Sequence, residues 1–152
     1  MSIKTITTNR RARFDYEVFD TFEAGMVLRG SEVKSLREAR ANLKDAYAIV
    51  KDGELFLIGC HISPYPFARD GGHEPDRTRK LLLHRHEIDR VRSQIEEKGR
   101  TLIPLKMYFK DGKAKVELGL AKGKDRYDKR ETLKRKQADR EMERAMRYRS
   151  LD

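Results

Sequence analysis

Hydrophobic and polar residues alternate near the start of the chain, in the stretch RFDYEVFDTF. Phe14, Tyr16, Val18 and Phe22 fall on one side of a two-residue alternation, and the polar residues Asp15, Glu17 and Thr21 fall on the other. This period is typical of a β-strand with one buried face. We therefore predict a strand here that continues through Gly25 into the hydrophobic stretch MVL.

Two further pairs of hydrophobic segments each flank an Asp-Gly dipeptide. AYAIV and ELFLIGC surround Asp52-Gly53, and TLIPLKMYFK and KAKVELGLA surround Asp111-Gly112. Asp-Gly is a strong signal for a two-residue turn, because both residues tolerate the positive φ that such turns require. The sequence therefore predicts two antiparallel hairpins.

Two segments have the spacing of helices. In RGSEVKSLREAR, Ser31 is the predicted N-cap, and Val33 and Leu36 would face the core. In HRHEIDRVRSQIEEKG, hydrophobic residues recur every three or four positions, and Gly99 would end the helix. We predict one helix in each segment.

The predicted elements define a fold class. SPYPFARDGGHEPDRTRK, with three prolines and two glycines, predicts a long surface loop between the hairpins. Five or six strands with tight hairpins and two or three flanking helices predict a mainly β (α+β) fold, a small antiparallel β-barrel. A β-sandwich is the alternative. We assign this domain to residues 1–121.

Charge points to a polyanionic partner. The net charge is +10, and 39% of the residues are charged, against about 25% in an average soluble protein. No hydrophobic run is long enough to span a bilayer, and the N-terminus lacks a signal-peptide core. We therefore expect a cytoplasmic protein with no membrane partner and no small-molecule substrate. A single cysteine, Cys60, suits a reducing compartment.

The C-terminal tail, residues 122–152, concentrates this charge. It contains 12 Lys and Arg and 7 Asp and Glu, with few large hydrophobic residues. Burial cannot offset the entropy lost on ordering it, yet most of its residues favour helices. We predict a tail that is disordered when free and helical when bound. Tyr127 and Tyr148 add side chains that can stack on bases. A solvated appendage without a role is the alternative.

The remaining candidate residues include possible phosphate-binding arginines but no catalytic motif. Arg10, Arg11 and Arg13 precede the first strand and could bind phosphates, although such a segment is often only solubilising. The histidines and carboxylates follow no metal or nucleophile spacing. Cys60 and His61 are neighbours on a predicted strand and would point to opposite faces. We predict no catalytic residue, metal or cofactor; a small RNA-processing nuclease is the less favoured alternative.

Nine short blocks resemble the consensus of the bacterial SsrA-binding proteins, the SmpB family. In order they are NRRARFDY, FEAG, GSEVKSLR, NLKDAY, HISPY, RTRKLLLH, LIPLKMY, KVELGLAKGK and YDKR, spanning residues 9–130. The resemblance implies an oligonucleotide-binding-type β-barrel that binds the tRNA-like domain of tmRNA. It implies delivery of tmRNA to stalled ribosomes for trans-translation, with elongation factor Tu in the same complex through tmRNA. Without the resemblance, a ribosomal RNA-binding or ribosome-assembly protein is the alternative.

The resemblance also implies which residues bind tmRNA. Glu23 of FEAG, Leu82 of LLL and His84, the residue directly after the LLL block, match RNA-binding positions. The family often has Asn in place of His84. The predicted tmRNA-binding set is Asn9, Arg10, Arg11, Arg13, Glu23, Lys34, Lys80, Leu82 and His84.

The tail is implied to act in the decoding centre and the empty mRNA channel, against small-subunit rRNA. Its GKK-like element is Gly123, Lys124 and Asp125, where Asp125 departs from the basic third position. The predicted ribosome-contacting set is Gly123, Lys124, Arg126, Tyr127, Asp128, Lys129, Arg130, Lys134 and Lys136.

Overall fold

A computed structural model describes residues 2–68, 72–124 and 126–150. The strands are β1 (Ile3–Thr8), β2 (Tyr16–Met26), β3 (Ala41–Asn42), β4 (Tyr47–Lys51), β5 (Glu54–Ile58), β6 (His61–Ile62), β7 (Arg79–Leu82), β8 (Thr101–Lys110) and β9 (Lys113–Gly123). The helices are α1 (Ala12–Asp15), α2 (Gly30–Arg37), α3 (Arg85–Lys98) and α4 (Arg126–Ser150).

The main sheet is antiparallel and rolled into a barrel. Its strands follow the order β1-β8-β4-β5-β7-β2-β9, and β9 also pairs with β8. The pairings therefore run in a ring of six strands, with β1 added beside β8. The strand pairing is least extensive between β4 and β8, where Ala48 pairs with Leu102. This topology confirms the predicted small antiparallel β-barrel.

The barrel interior is filled by aliphatic side chains from its strands and helices. Leu57 of β5, Leu102 of β8 and Leu118 of β9 are fully buried in one cluster. Leu36 of α2 and Val91 of α3 join the same cluster. Because a fully buried aliphatic side chain contributes about 1.5–3 kcal/mol, this cluster supplies most of the driving force for folding.

Both predicted hairpins are confirmed. Asp52 and Gly53 have φ values of 53° and 73°, and Asp111 and Gly112 have values of 50° and 80°. Positive φ at both central residues defines a turn that follows the right-handed twist of the strands it joins. Local chemistry at two dipeptides thus sets the register of four barrel strands.

The beginning of the chain differs from the prediction. Phe14 lies in α1, not in a strand, because the amides of Phe14 and Asp15 bond to the carbonyl of Arg11 and close a helical turn. The strand starts at Tyr16. β1 was not predicted, since Ile6 is its only buried residue and it therefore lacks a clear hydrophobic pattern.

The two central helices are present, with one correction. Arg29, not Ser31, is the N-cap of α2, and its backbone amide donates to Glu32 Oε1 at 2.8 Å. Ser31 Oγ lies 2.9 Å from His73 Nδ1 instead. Gly99 ends α3 with a φ of 62°, as predicted.

The segment between β6 and β7 has no helix or strand among its described residues, as predicted for a loop. It is not purely a surface loop, because the His73 side chain is buried. His73 Nε2 lies 2.9 Å from the carbonyl of Ile62, which can only accept a hydrogen bond. In the neutral imidazole, Nδ1 therefore accepts from the Ser31 hydroxyl. The ring ties the loop to α2 and β6.

The C-terminal tail forms α4 over most of its length. Every α4 side chain that the structure describes, within residues 130–145, is exposed. Lys136 Nζ lies 5.9 Å from the centre of the Phe14 ring, which places α4 against α1. The helical tail agrees with its helix-forming composition; its disorder in the unbound protein stays a prediction. No described helix is long and hydrophobic enough to cross a membrane.

Candidate nucleic-acid interface

Four of the predicted RNA-binding residues lie around the junction of β2 and β7. Leu82 pairs with Gly25, two residues beyond Glu23 on β2, and Leu82 is 53% exposed. Lys80 precedes Leu82 on the same side of β7, and His84 follows as the N-cap of α3. The structure therefore brings these positions to one surface.

The Glu23 carboxylate is held in place although it is partly exposed. The Tyr108 hydroxyl donates to Oε2 at 2.5 Å, and Lys110 Nζ lies 3.3 Å from Oε1. The Tyr108 hydrogen bond, followed by Lys110 and Lys115, lowers the pKa of Glu23 despite the opposing effect of burial. An ionised carboxylate can only accept hydrogen bonds, so this group suits base amino and imino donors.

Cations surround Glu23 on what we call the Glu23 face, the outer face of β2, β9 and β8. Its members besides Glu23 are Lys106, Tyr108, Lys110, Lys113, Lys115 and Glu117. The sequence analysis missed this basic group, because its cations come from two strands and only the pairing register brings them together. The signal available was the lysines at alternate positions of the second hairpin. Such a face suits phosphate contacts.

Lys34 lies near the same end of the barrel but on α2. The neighbouring α2 residue, Val33, and Leu82 line one cavity of about 320 Å³. Lys34 Nζ lies 5.5 Å from the centre of the Tyr65 ring, beside a second concavity that Arg29 also lines. Lys34 is thus adjacent to the Glu23 face without being part of it.

The arginine segment, by contrast, lies at the other end of β2. Lys124 Nζ donates to the Arg13 carbonyl at 3.0 Å, and the Lys124 amide donates to the Asp15 carbonyl at 2.9 Å. Glu23 lies seven positions after Tyr16 on β2, about 23 Å along a strand. The predicted tmRNA-binding set therefore divides between two ends of the barrel. We call the end that carries α1 and Lys124 the tail end.

The three arginines and Asn9 have different surroundings at the tail end. Arg10, Arg11 and Arg13 are exposed, and Arg11 also pairs with Asp15 at 3.6 Å. The Asn9 amide nitrogen donates to the carbonyls of Pro104 at 3.0 Å and Leu43 at 3.4 Å. Asn9 therefore fixes the chain ahead of α1, whereas the arginines present charge to solvent.

The predicted ribosome-contacting residues follow directly from β9 into α4. Gly123 pairs with Tyr16 at the end of β9. Arg130, Lys134 and Lys136 are exposed on α4. The structure describes the α4 backbone but not the side chains of Arg126, Tyr127, Asp128 and Lys129. Asp125 lies outside the described residues.

The sequence analysis did not predict the buried ion pair between Glu32 of α2 and Arg79 of β7. Glu32 and Arg79 are both 0% exposed, and Arg79 Nε donates to Glu32 Oε2 at 2.5 Å. Arg79 also donates to the carbonyls of Cys60 at 2.6 Å and Pro75 at 3.0 Å. Burial alone would raise the pKa of Glu32, but hydrogen bonds from Arg77, the Arg29 amide and Arg79 leave it lowered. The pair anchors the β6–β7 segment to α2.

The groups capable of catalysis are tied into the fold. His61 Nδ1 lies 3.0 Å from Asp76 on the surface, and His84 stacks on His86 with ring centres 5.7 Å apart. Burial raises the pKa of the Cys60 thiol to about 11, so the thiol stays protonated. Across residues 2–68, 72–124 and 126–150, no cluster of His, Cys, Asp and Glu has a metal-binding arrangement.

The fold and its surfaces together define a class of protein. A small antiparallel barrel with a basic outer face, exposed arginines at the far end and a basic helical tail is typical of nucleic-acid-binding proteins. The family model described as "SmpB protein" matches residues 6–148. The chain belongs to the SmpB family.

Relatives and a solved structure agree with this assignment. An SsrA-binding protein from Gloeothece citriformis is 59% identical over 144 residues, covering 94% of this chain and 93% of the relative. One from Geobacter metallireducens is 55% identical over 150 residues, covering 99% and 98%. A chain of a solved structure described as "tmRNA-SmpB: a journey to the center of the bacterial ribosome" is 48% identical, with a TM-score of 0.66, covering 84% of this chain and 93% of that one.

Proposed function

We propose that this protein binds the tRNA-like domain of tmRNA and delivers it to stalled ribosomes for trans-translation. The observation that carries the proposal is the Glu23 face, where one fixed acceptor lies among cations on a folded barrel. Folded RNA is read through its shape, its phosphates and its unpaired bases, and this surface offers groups for each. The near-full-length similarity to SsrA-binding proteins supports the same function.

The division of the chain supports two separate tasks. The barrel, residues 1–121, would hold the tRNA-like domain through the Glu23 face and the adjoining Lys34, Lys80, Leu82 and His84. The tail, residues 122–152, would enter the decoding centre and the empty mRNA channel, where exposed cations such as Arg130 and Lys134 meet rRNA phosphates. The start of the tail beside α1 would place Arg11 and Arg13 nearer the ribosome than the Glu23 face.

The remaining roles follow from this assignment. Elongation factor Tu would be present in the same complex through tmRNA, and the protein would act in the bacterial cytoplasm. We propose an adaptor without catalytic activity, since Cys60 is buried and protonated, His61 and His73 are within hydrogen-bond distance of other groups, and His84 stacks on His86. Energy for binding would come from phosphate neutralisation and base contacts.

A direct binding experiment tests the proposal. The full-length protein is titrated with the isolated tRNA-like domain of tmRNA, with a small-subunit rRNA fragment and with an elongator tRNA at physiological salt. We expect the tRNA-like domain to bind at least about tenfold more tightly than the other two. Preference for the rRNA fragment would support a ribosome-assembly protein instead. Cleavage of any RNA would support a nuclease.

Tagging in a reconstituted translation system then tests delivery. A message without a stop codon stalls ribosomes, and tmRNA is supplied with or without the protein. We expect tagged peptide only when the protein is present. Tagging that proceeds equally without it would contradict the proposed role, even if the RNA binds tightly.

A further inference from the structure

Tyr108 has an unusual position for a residue on the outer face of the barrel. Its side chain extends from β8 across β9, is only 4% exposed, and ends with its hydroxyl on the Glu23 carboxylate of β2. The Lys106 ammonium lies over one face of the ring, with Nζ 5.5 Å from the ring centre. A buried hydroxyl needs a partner, and here the partner is Glu23, the acid predicted to bind RNA.

The surroundings of Glu23 keep that acid in one orientation. Glu117 is its cross-strand partner, and two facing carboxylates would repel each other. Lys106 pairs with Glu117 at 3.7 Å and Lys110 with Glu23 at 3.3 Å, while Lys115 adds a further positive charge. Burial, together with the Tyr108–Glu23 hydrogen bond, raises the pKa of Tyr108, so the tyrosine remains a donor. Glu23 nevertheless keeps 38% of its side chain exposed.

The geometry points to a specific ligand for the exposed part of this carboxylate. We propose that Tyr108 is a positioning residue that orients Glu23 to accept hydrogen bonds from the Watson–Crick edge of an unpaired guanine. The inference rests on the proposed binding of tmRNA. Guanine alone among the four bases has adjacent donors on that edge, the N1 imino and N2 amino groups. Adenine and cytosine each have one amino donor beside an acceptor, which an ionised carboxylate would repel.

The neighbouring surface has room for a base and its phosphate. Beside Glu23 lies the cavity of about 320 Å³ that Gly25, Leu82, Lys113 and Lys115 help to line. Leu82 supplies an apolar surface for a ring, and the two lysines supply cations for the attached phosphate. These cations also offset the repulsion between the Glu23 carboxylate and the RNA backbone. One place on the surface therefore offers an apolar contact for the base, cations for its phosphate and the Glu23 carboxylate as hydrogen-bond acceptor.

The first test removes only the Tyr108 hydroxyl. Tyr108→Phe keeps the ring, and Tyr47→Phe, an exposed tyrosine on β4, is the matched control. We expect Tyr108→Phe to weaken binding of the tRNA-like domain about tenfold, as for one lost hydrogen bond to a charged group, and Tyr47→Phe to leave it unchanged. In Glu23→Gln, adding Tyr108→Phe should cost little more, because the hydroxyl acts through the carboxylate.

The dependence on pH gives a readout that a packing role would not change. As pH falls, Tyr108→Phe should begin to lose affinity at a higher pH than the wild-type protein, because its Glu23 protonates earlier. Should Tyr108→Phe fail to fold, Lys110→Met supplies the second variant with the same expected direction. Equal pH profiles for the variant and wild type would contradict the positioning role.

The guanine is tested with wild-type protein and modified RNA. Each unpaired guanine of the tRNA-like domain is replaced in turn by inosine, which lacks the 2-amino group. We expect one position to lose affinity with the wild-type protein but not with Glu23→Gln. If no position behaves in this way, the guanine assignment is wrong. A wild-type protein that does not bind the unmodified domain would instead overturn the proposed function.

Discussion

The barrel and the C-terminal tail treat their charged residues in opposite ways. The barrel buries Glu32 and Arg79 completely and surrounds them with partners. The described side chains of the tail, within residues 130–145, are all exposed. The barrel therefore fixes its own shape, whereas the tail keeps its cations accessible to a partner. The difference teaches where to expect losses of stability and where to expect losses of function.

The largest effect on stability should come from breaking the buried pair. Arg79→Ala leaves the Glu32 carboxylate without one of its buried partners, and we expect the free energy of unfolding to fall by about 3–5 kcal/mol. Arg90→Ala is the matched control, because Arg90 pairs with Asp20 at 2.8 Å on the exposed surface and should cost about 0–1 kcal/mol. Denaturant unfolding measures both. Equal losses would refute the contrast between interior and surface.

The same substitution, Leu to Ala, can be made in both regions to compare their contributions to stability. Leu57→Ala opens a cavity in the barrel at a residue that is 0% exposed, and should cost about 2–5 kcal/mol. Leu133→Ala changes a tail residue that is 54% exposed, and should stay within about 0.5 kcal/mol. Thermal unfolding of the two variants checks this. A large loss from Leu133→Ala would show that α4 packs firmly on the barrel.

Tyr127→Ala should separate function from stability within the tail. We expect tagging in the reconstituted system to fall about tenfold or more, since one stacked base is worth about 1–3 kcal/mol. Binding of the tRNA-like domain and the melting temperature should not change. Tyr47→Ala, which removes an exposed tyrosine of β4 in the barrel, is the matched control. Equal losses of tagging and RNA binding would contradict a decoding-centre role.

The smallest and most gradual effect should come from pH. Glu32 and Glu23 both have lowered pKa values, below the ordinary 4.5. Their stabilising contribution is therefore fully present above pH 4.5 and is lost as pH falls toward the folded-state pKa values. Unfolding measured from pH 7 to pH 3 should show this decline, with a shallower slope in Glu23→Gln. A free energy of unfolding that rises as the pH falls from 7 to 3 would contradict the lowered pKa values of Glu32 and Glu23.

Local chemistry explains which parts of the fold were predictable. The turns at Asp52-Gly53 and Asp111-Gly112 and the end of α3 at Gly99 depend on φ preferences that sequence displays directly. α1 was missed because its backbone hydrogen bonds to the Arg11 carbonyl override the hydrophobic alternation that begins at Phe14. β1 was missed because its partner, β8, is about a hundred residues away and its own pattern is weak.

The candidate site was predictable only in part, for a related reason. Glu23, Leu82 and His84 came from resemblance to a family, not from periodicity. Tyr108 lies 85 positions from Glu23 along the chain, and only the register of β2, β9 and β8 brings the two side chains together. The burial of Arg79 was likewise invisible, because arginine in a Pro- and Gly-rich segment is typical of a surface.

One measurement tests the central claim, that the barrel binds the RNA and the tail acts in the ribosome. The chain is cut after Lys124, which keeps the pairing of Gly123 with Tyr16 and the Lys124 bonds to Arg13 and Asp15. Affinity for the tRNA-like domain at physiological salt and tagging are then measured beside the full-length protein. We predict affinity within about threefold of full length, and no tagging. A truncated protein that loses the RNA, or one that still supports tagging, would contradict the account.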